Sequence, residues 1–497
     1  MFVKFLSLAF GLLLLLGSPL AIVAQERTPE QSLEHLAENV FFTTLSNGLR
    51  VIIYRRGIAP VFAGVVTVRV GGVNEREGFT GAAHMLEHMA FKGTDKIGTK
   101  DYQQEKILLE ELDEILGGGQ LIAELEPAEQ KRVVQLHDEL SKLWEPDQLS
   151  QEFRVRGGVG LNATTSQDLT NYFVNLPRSG FEFWCWMESE RILNPVMRQF
   201  YQERDVVMEE RRMRYEDSPT GKLYEQMLQN AYTVHPYQNP VIGYARDIER
   251  LTVDEVRRLH REYYTPRNMV VALVGDIDPA KDLETIERYF GRIPAGPMPQ
   301  HPTVVEPSQS SPRTFEIEDT SSPRVMLAYH KPHYPHPDDA ALTLMLEMFA
   351  GSSISPLYEQ LVKKEKIATS FSYFEAPGSA YPNLIIFHGE ARSPHTNQEL
   401  LEGFARIRKS FISDYITEER LEIARRSTLM SYIGRLSSNT GLARDLAASE
   451  MIYGDWAAFL EWFEQTRAVT VTDIRRVAKQ YLVDQARTVG LLETSGE

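Results

Sequence analysis

One cysteine, Cys185, stands in 497 residues, so no disulfide can form within the chain. The fold must rest on its apolar core, whatever the redox state of its compartment. Positive charge is short as well. The formal net charge of −16 opposes nucleic-acid binding, which needs Lys and Arg to neutralise phosphates. No G-x-x-x-x-G-K or G-x-G-x-x-G stretch offers a nucleotide cradle. Beyond the N-terminus no run approaches about 18 uninterrupted apolar residues, so a soluble mature protein is expected. With 42% hydrophobic and 25% charged residues, the chain has ordinary globular material, which excludes a disordered or fibrous protein.

What is present begins with MFVKFLSLAFGLLLLLGSPLAIVA. Lys4, the apolar run Phe5 to Leu16 and the small residues up to Ala24 have the layout of a secretory signal peptide, residues 1–24. A periplasmic or secreted protein is expected; the alternative keeps this segment as an anchor. No cysteine near the cut offers a lipid attachment point.

The remaining length predicts more than one core. LTVDEVRRLHREYYTPRNMVVALVGDI (251–277) parallels VTVTDIRRVAKQYLVDQARTVGLLET (469–494). Each reads as a helix opened by a threonine cap, Thr252 or Thr470, then a loop and an apolar strand. AAHMLEHMAFKGT (82–94) likewise parallels ALTLMLEMFAGSS (341–353), with His84 over Leu344 and His88 over Met348. His84 and Thr252 are 168 positions apart but Leu344 and Thr470 only 126, so the first half carries 42 extra residues. The surplus has apolar residues at helical spacing, many charges and a Gly117-Gly118-Gly119 break. It reads as a helical hairpin inserted at about 101–150. The Pro/Ser-rich segment 291–313 is the linker between a first half, 38–290, and a second, metal-less half, 314–494. Helices come in runs rather than strictly alternating with strands. The expected class is therefore α+β, two homologous α/β sandwich halves from an internal duplication.

The stretch GAAHMLEHMAFKGT (81–94) puts three ionisable groups into an apolar helix. At helical period His84 and His88 lie one turn apart on one face, with Glu87 beside them. Two imidazoles at that spacing can hold a zinc ion, and a neighbouring carboxylate can take a proton from water. H-x-x-E-H is the zinc-protease helix with its glutamate moved to the other side of the pair. A catalytic zinc wants a third ligand. FYQERDVVMEERRMRYEDSP (200–219) offers Glu203 and Glu210, seven apart and on one face, with Glu209 and Glu216 as competitors. Val206 and Val207 are expected to press this helix into the core. Arg191 and Arg204 are expected to pair with carboxylates. Trp184 and Trp186, flanking Cys185, read as core and interface aromatics. His330, His333 and His336 are separated by prolines that forbid a helix, so a strand exit into a loop is expected there rather than a metal site.

These motifs together resemble the pitrilysin/insulinase-type zinc peptidases with the inverted motif, a group that includes the mitochondrial processing peptidase and bacterial relatives. The matching residues are His84-x-x-Glu87-His88, Phe91-Lys92-Gly93-Thr94, Gly160-Leu161-Asn162-Ala163-Thr164-Thr165-Ser166, and Glu203-Arg204-Asp205 with Glu210. The resemblance implies a zinc metalloendopeptidase with one Zn2+ per chain, held by His84, His88 and Glu210. Glu87 is then the general base and Glu203 supports a ligand from behind. Asn162 and Ala163 lie on an edge strand that pairs with substrate backbone, which suits peptides or unfolded segments. Active members carry an Arg and a Tyr, seven apart, in the second half. The corresponding positions here are Val362 and Thr369, with Lys363, Lys364 and Tyr373 nearby. A homologous metal-less partner subunit supplying that pair is therefore expected, as a heterodimer or alternatively a homodimer. The rival reading is a non-catalytic assembly or scaffold subunit of the same fold.

Overall fold

The computed structural model describes residues 29–57 and 59–495; the expected signal peptide lies outside them. Two sheets organise the chain. The first contains β1 (Val40–Thr44), β2 (Arg50–Arg55), β3 (Val61–Val68), β4 (Val159–Thr165), β5 (Thr170–Pro177) and β6 (Met269–Gly275), in the order β1-β2-β6-β3-β5-β4. The second contains β7 (Arg313–Asp319), β8 (Arg324–Lys331), β9 (Ala368–Ala376), β10 (Asn383–Ala391) and β11 (Arg487–Thr494), in the order β7-β11-β8-β10-β9. The architecture is α+β with two similar halves. Each sheet ends in an antiparallel hairpin whose first strand is an edge: β4 beside β5, and β9 beside β10.

Both faces of each sheet are apolar, and alternation along the strands sends neighbours to different cores. In β2, Val51 and Ile53 join the core that includes Met85 and Leu86, while Ile52 packs with Leu442, Leu446 and Met451. In β8, Val325 and Leu327 face Leu344 and Phe349, while Met326 and Ala328 face Leu223, Met227 and Leu228. Thus each half covers one face of its own sheet and lends a helix to the other. Helix Asn439–Tyr453 lies on β3 and β6, and helix Pro219–Ala231 lies on β11, β8 and β7. Burying Leu223, Met227 and Leu228 there contributes roughly 5–9 kcal/mol of transfer free energy.

Helices Tyr102–Leu116 and Pro127–Leu143 pack on each other, with the three glycines between them. Their base is fixed by an ion pair inside the protein. Arg198 Nε and Nη2 meet Glu105 at 2.5 and 2.8 Å, Trp144 Nε1 donates to the same carboxylate, and Arg198 and Glu105 are 2% and 0% exposed. Arg198 also donates to the carbonyls of Lys92, Thr94 and Ile97, so the hairpin is bolted to the loop leaving helix Ala82–Met89. Thr252 and Thr470 cap helices Val253–Tyr263 and Val471–Tyr481. Residues 291–312 contain no helix or strand.

Two smaller expectations are corrected, for Val206 and Arg204. Only Val207 is buried; Val206 is 51% exposed, because it falls a hundred degrees round the helix from Val207. Arg191 makes the expected ion pair, with Glu188 on its own helix. Arg204 finds no carboxylate within ion-pair distance among the described residues; it donates to Leu251 O and lies over the Tyr201 ring. Trp184 is fully buried, and Trp186 packs at the edge of the same core.

Candidate metal centre

Helix Ala82–Met89 is short, and its N-terminus is held from outside. Gly81 precedes it at φ 93°, a left-handed conformation that glycine adopts freely, and a Cβ there would meet Ile242 O at 2.5 Å. The Glu75 carboxylate accepts the N–H groups of Gly81 and Ala83 at 2.9 and 2.7 Å, satisfying donors the helix cannot use itself. Met85, Leu86 and Met89 are fully buried against the first sheet's core, which fixes the rotation of the helix. The other face then carries His84 and His88, with ring centroids 4.7 Å apart.

Helix Phe200–Arg211 packs across it and brings two carboxylates. Glu210 Oε2 lies 3.8 Å from His84 Nε2 and 3.5 Å from His88 Nε2. Those distances are too long for good hydrogen bonds. They suit donors around one ion, since ligands about 2.1 Å from a tetrahedral zinc stand about 3.4 Å apart. Among the described residues, His84, His88 and Glu210 form the one group of three or more His, Cys, Asp or Glu whose ligand atoms lie within 4.8 Å of one another. Glu209 pairs instead with Arg212, and Glu216 faces Arg211. The donor set of two imidazoles and a carboxylate fits zinc.

Around this group stands a supporting shell. Glu203 Oε1 meets His88 Nδ1 at 2.8 Å, and its Oε2 meets Lys92 Nζ at 2.5 Å. Arg214 takes the other oxygen of Glu210 at 2.6 Å. Thr165 donates its hydroxyl to Glu87 Oε2 at 2.6 Å. Burial, with the charge on His88, lowers His84 to about 4. Burial also opposes charge on His88, but Glu203 and then Glu210 outweigh it and raise that ring to about 9. The neighbouring His88 ring, with the Arg214 guanidinium, holds Glu210 at about 2, while burial raises Glu87. Hence His84 is neutral, Glu210 is ionised, and Glu87 stands next to the cluster as a carboxylate with heightened proton affinity.

Asn162 and Ala163 sit on the edge strand β4, paired with Phe173 and Tyr172 of β5. Asn162 is exposed and Ala163 buried. Val362 is half-buried against the second core, and Thr369 is exposed on β9. Lys92, Thr165, Arg214 and Glu75 had no role in the sequence reading. Three had a signal: Lys92 and Arg214 lie four residues beyond His88 and Glu210, and Thr165 lies two beyond Ala163 on the same strand face.

A duplicated α+β fold with H-x-x-E-H and a distant glutamate gathered on the first sheet's helical face defines the class: a metallopeptidase-type protein. Two family models match in chain order. Insulinase (Peptidase family M16) matches residues 51–118, and the Peptidase M16 inactive domain matches residues 250–428. The zinc protease PqqE of Helicobacter pylori is 28% identical over 462 residues, covering 90% of this chain and 92% of that protein. A solved protease from Helicobacter pylori superposes with a TM-score of 0.77 at 25% identity, over 91% of this chain and 99% of that one. The periplasmic protease PqqL from Escherichia coli shares the fold at TM-score 0.69 and 18% identity, over 92% of this chain but 48% of that one. Both matched stretches are those of peptidase family M16, the insulinase family, one in each family model.

Proposed function

We propose that this protein is a zinc-dependent endopeptidase acting on peptides or unfolded segments. The observation that carries the reading is the convergence of His84 Nε2, His88 Nε2 and a Glu210 oxygen within 4.8 Å, with Glu87 one helical position from His88. The names of its relatives as zinc proteases support it. Zinc bound by these three residues would polarise a scissile carbonyl and acidify a water. Glu87 takes the proton from the attacking water and delivers it to the leaving amine nitrogen. Glu203 holds the His88 ring so that Nε2 faces the centre. Asn162 and Ala163, on the free edge of β4, receive the substrate main chain by strand addition.

A homologous partner subunit completes the site by supplying the Arg and Tyr that Val362 and Thr369 replace. The fold match takes up 48% of the longer PqqL chain, which supports a second unit of similar size beside this one. A periplasmic or secreted location follows from the N-terminal segment and fits the periplasmic neighbour. Among the described residues no helix is long and apolar enough to cross a membrane.

The test is hydrolysis of a mixed peptide library by the chain without residues 1–24, beside Glu87→Gln, with zinc counted in both. Zinc in both and activity lost in the variant establishes the mechanism and makes the partner unnecessary. Zinc in both and activity in neither directs the search to the partner. A chain that binds no zinc defeats the reading and favours the non-catalytic scaffold.

A further inference from the structure

We propose that Thr165 is a positioning residue, whose hydroxyl fixes the Glu87 carboxylate and ties it to the strand that receives the peptide. The inference rests on the peptidase reading above. Among the described residues Thr165 is the one hydrogen-bond partner of the Glu87 side chain, at 2.6 Å. A hydroxyl has one proton to give. Thr165 Oγ1 also lies 3.4 Å from Thr170 Oγ1, but Thr170 donates its own proton to Val70 O at 3.0 Å. At 2.6 Å against 3.4 Å the Thr165 proton goes to the nearer and stronger acceptor, Glu87 Oε2, and Oε1 is left to exchange a proton with water.

The position of Thr165 in the sheet gives this bond its second consequence. It pairs with Thr170, and Ala163 pairs with Tyr172, so both side chains point to the face carrying helix Ala82–Met89. Thr164 points the other way, where its Oγ1 meets Asn171 and Arg444. Among the described residues the backbone of β4 is unpaired on its outer side, as the last strand of its sheet. A peptide added there would extend the ladder within two residues of the contact that holds the base. Strand and base are thus one mechanical unit, and the register of the added peptide is referenced to Glu87 through Thr165.

Thr165→Val keeps the shape and the strand propensity and removes only the donor; Thr165→Ser restores the donor. With zinc content matched to the native chain, Val is expected to lower kcat about ten- to a hundredfold, the worth of one hydrogen bond to a charged group, and to leave KM within about twofold. Serine is expected to recover most of the loss. A readout independent of turnover is the crystal structure of metal-free Thr165→Val, in which Glu87 is expected to leave its native rotamer. Native kcat in the valine variant, a serine variant as poor as valine, or an unmoved Glu87 would each overturn the proposal. If the chain is inactive alone, the crystal structure decides. Glu87→Gln with undiminished activity would instead defeat the underlying assignment of Glu87 as the base, whereas an inactive Glu87→Gln beside a fully active Thr165→Val defeats this inference only.

Discussion

Removing the carboxylate behind His88 should weaken metal binding without unfolding the protein. Glu203 accepts from His88 Nδ1 at 2.8 Å and from Lys92 Nζ at 2.5 Å, and its side chain is 11% exposed. The first contact fixes the ring: Nδ1–H points at Glu203, so Nε2 is the nitrogen that faces Glu210 and would give up its proton to a bound cation. A hydrogen bond to a charged group contributes about 1.5–3 kcal/mol, a neutral one about 0.5–1.5. Glu203→Gln keeps an oxygen for His88 but loses the charge, so it should cost about 1–1.5 kcal/mol of ligand basicity and orientation, near a tenfold fall in zinc affinity. Glu203→Ala loses the contact altogether and should cost up to a hundredfold. Competition against a chromophoric chelator at fixed pH measures both, and circular dichroism of the metal-free variants checks that the fold survives. An alanine variant that binds zinc within twofold of the native chain would refute the argument, because His88 would then be oriented by its packing alone.

Two further outcomes test the frame around the site. Arg198→Met strands the Glu105 carboxylate in a dry interior and should lower unfolding stability by about 3–5 kcal/mol, measured by urea denaturation; a loss under about 1 kcal/mol would show that the hairpin is not bolted through this pair. His235 is 2% exposed, accepts from Tyr237 N–H at 3.2 Å through Nδ1, and is lowered by burial to about 4. The unfolded chain therefore takes up this proton first as pH falls, so the stability from the neutral ring is complete above about pH 6.5 and drains away towards pH 4, by up to about 3 kcal/mol. His235→Asn, whose Oδ1 can accept the same N–H, should flatten that part of the stability curve; an unchanged curve would exclude His235 as its source.

Much of the site was readable in the sequence because it is written in local periods. The i, i+4 spacing puts His84 and His88 on one face of any helix, and seven residues do the same for Glu203 and Glu210. What spacing could not decide was which carboxylate reaches the histidines, since Glu209 and Glu216 were equally charged and equally near. That choice is made by Val207, whose burial turns Glu210 inward and sends Glu209 out to Arg212. The duplication was visible, but the exchange of helices between halves was not. The apolar stripe of Pro219–Ala231 says that something covers it; only the assembled sheets show that the cover is β8 and β11 of the other half. Arg204 escaped for a similar reason: a cation in a charged helix invites an ion pair, and here an aromatic face and a carbonyl took its place.

The two copies of the central helix show what the first one gives up. In the second half, Leu344 and Met348 occupy the histidine positions and are 0% and 7% exposed, so the helix is held by plain apolar packing. Glu347 remains at the position of Glu87, but it accepts a hydroxyl from Ser427 at 2.7 Å and has no imidazoles beside it. The first copy puts His84, 7% exposed, and the half-buried His88 in place of Leu344 and Met348, beside Glu87 at 9%. Burying polar groups costs free energy unless each finds a partner. Glu203 and Thr165 supply partners for His88 and Glu87, yet His84 Nδ1 has none among the described residues, and its Nε2 faces Glu210 across a gap too wide for a good hydrogen bond. The packing role common to both copies explains the apolar residues of the helix. It does not explain two imidazoles placed where leucine and methionine would serve, whereas the proposed cation between His84, His88 and Glu210 would.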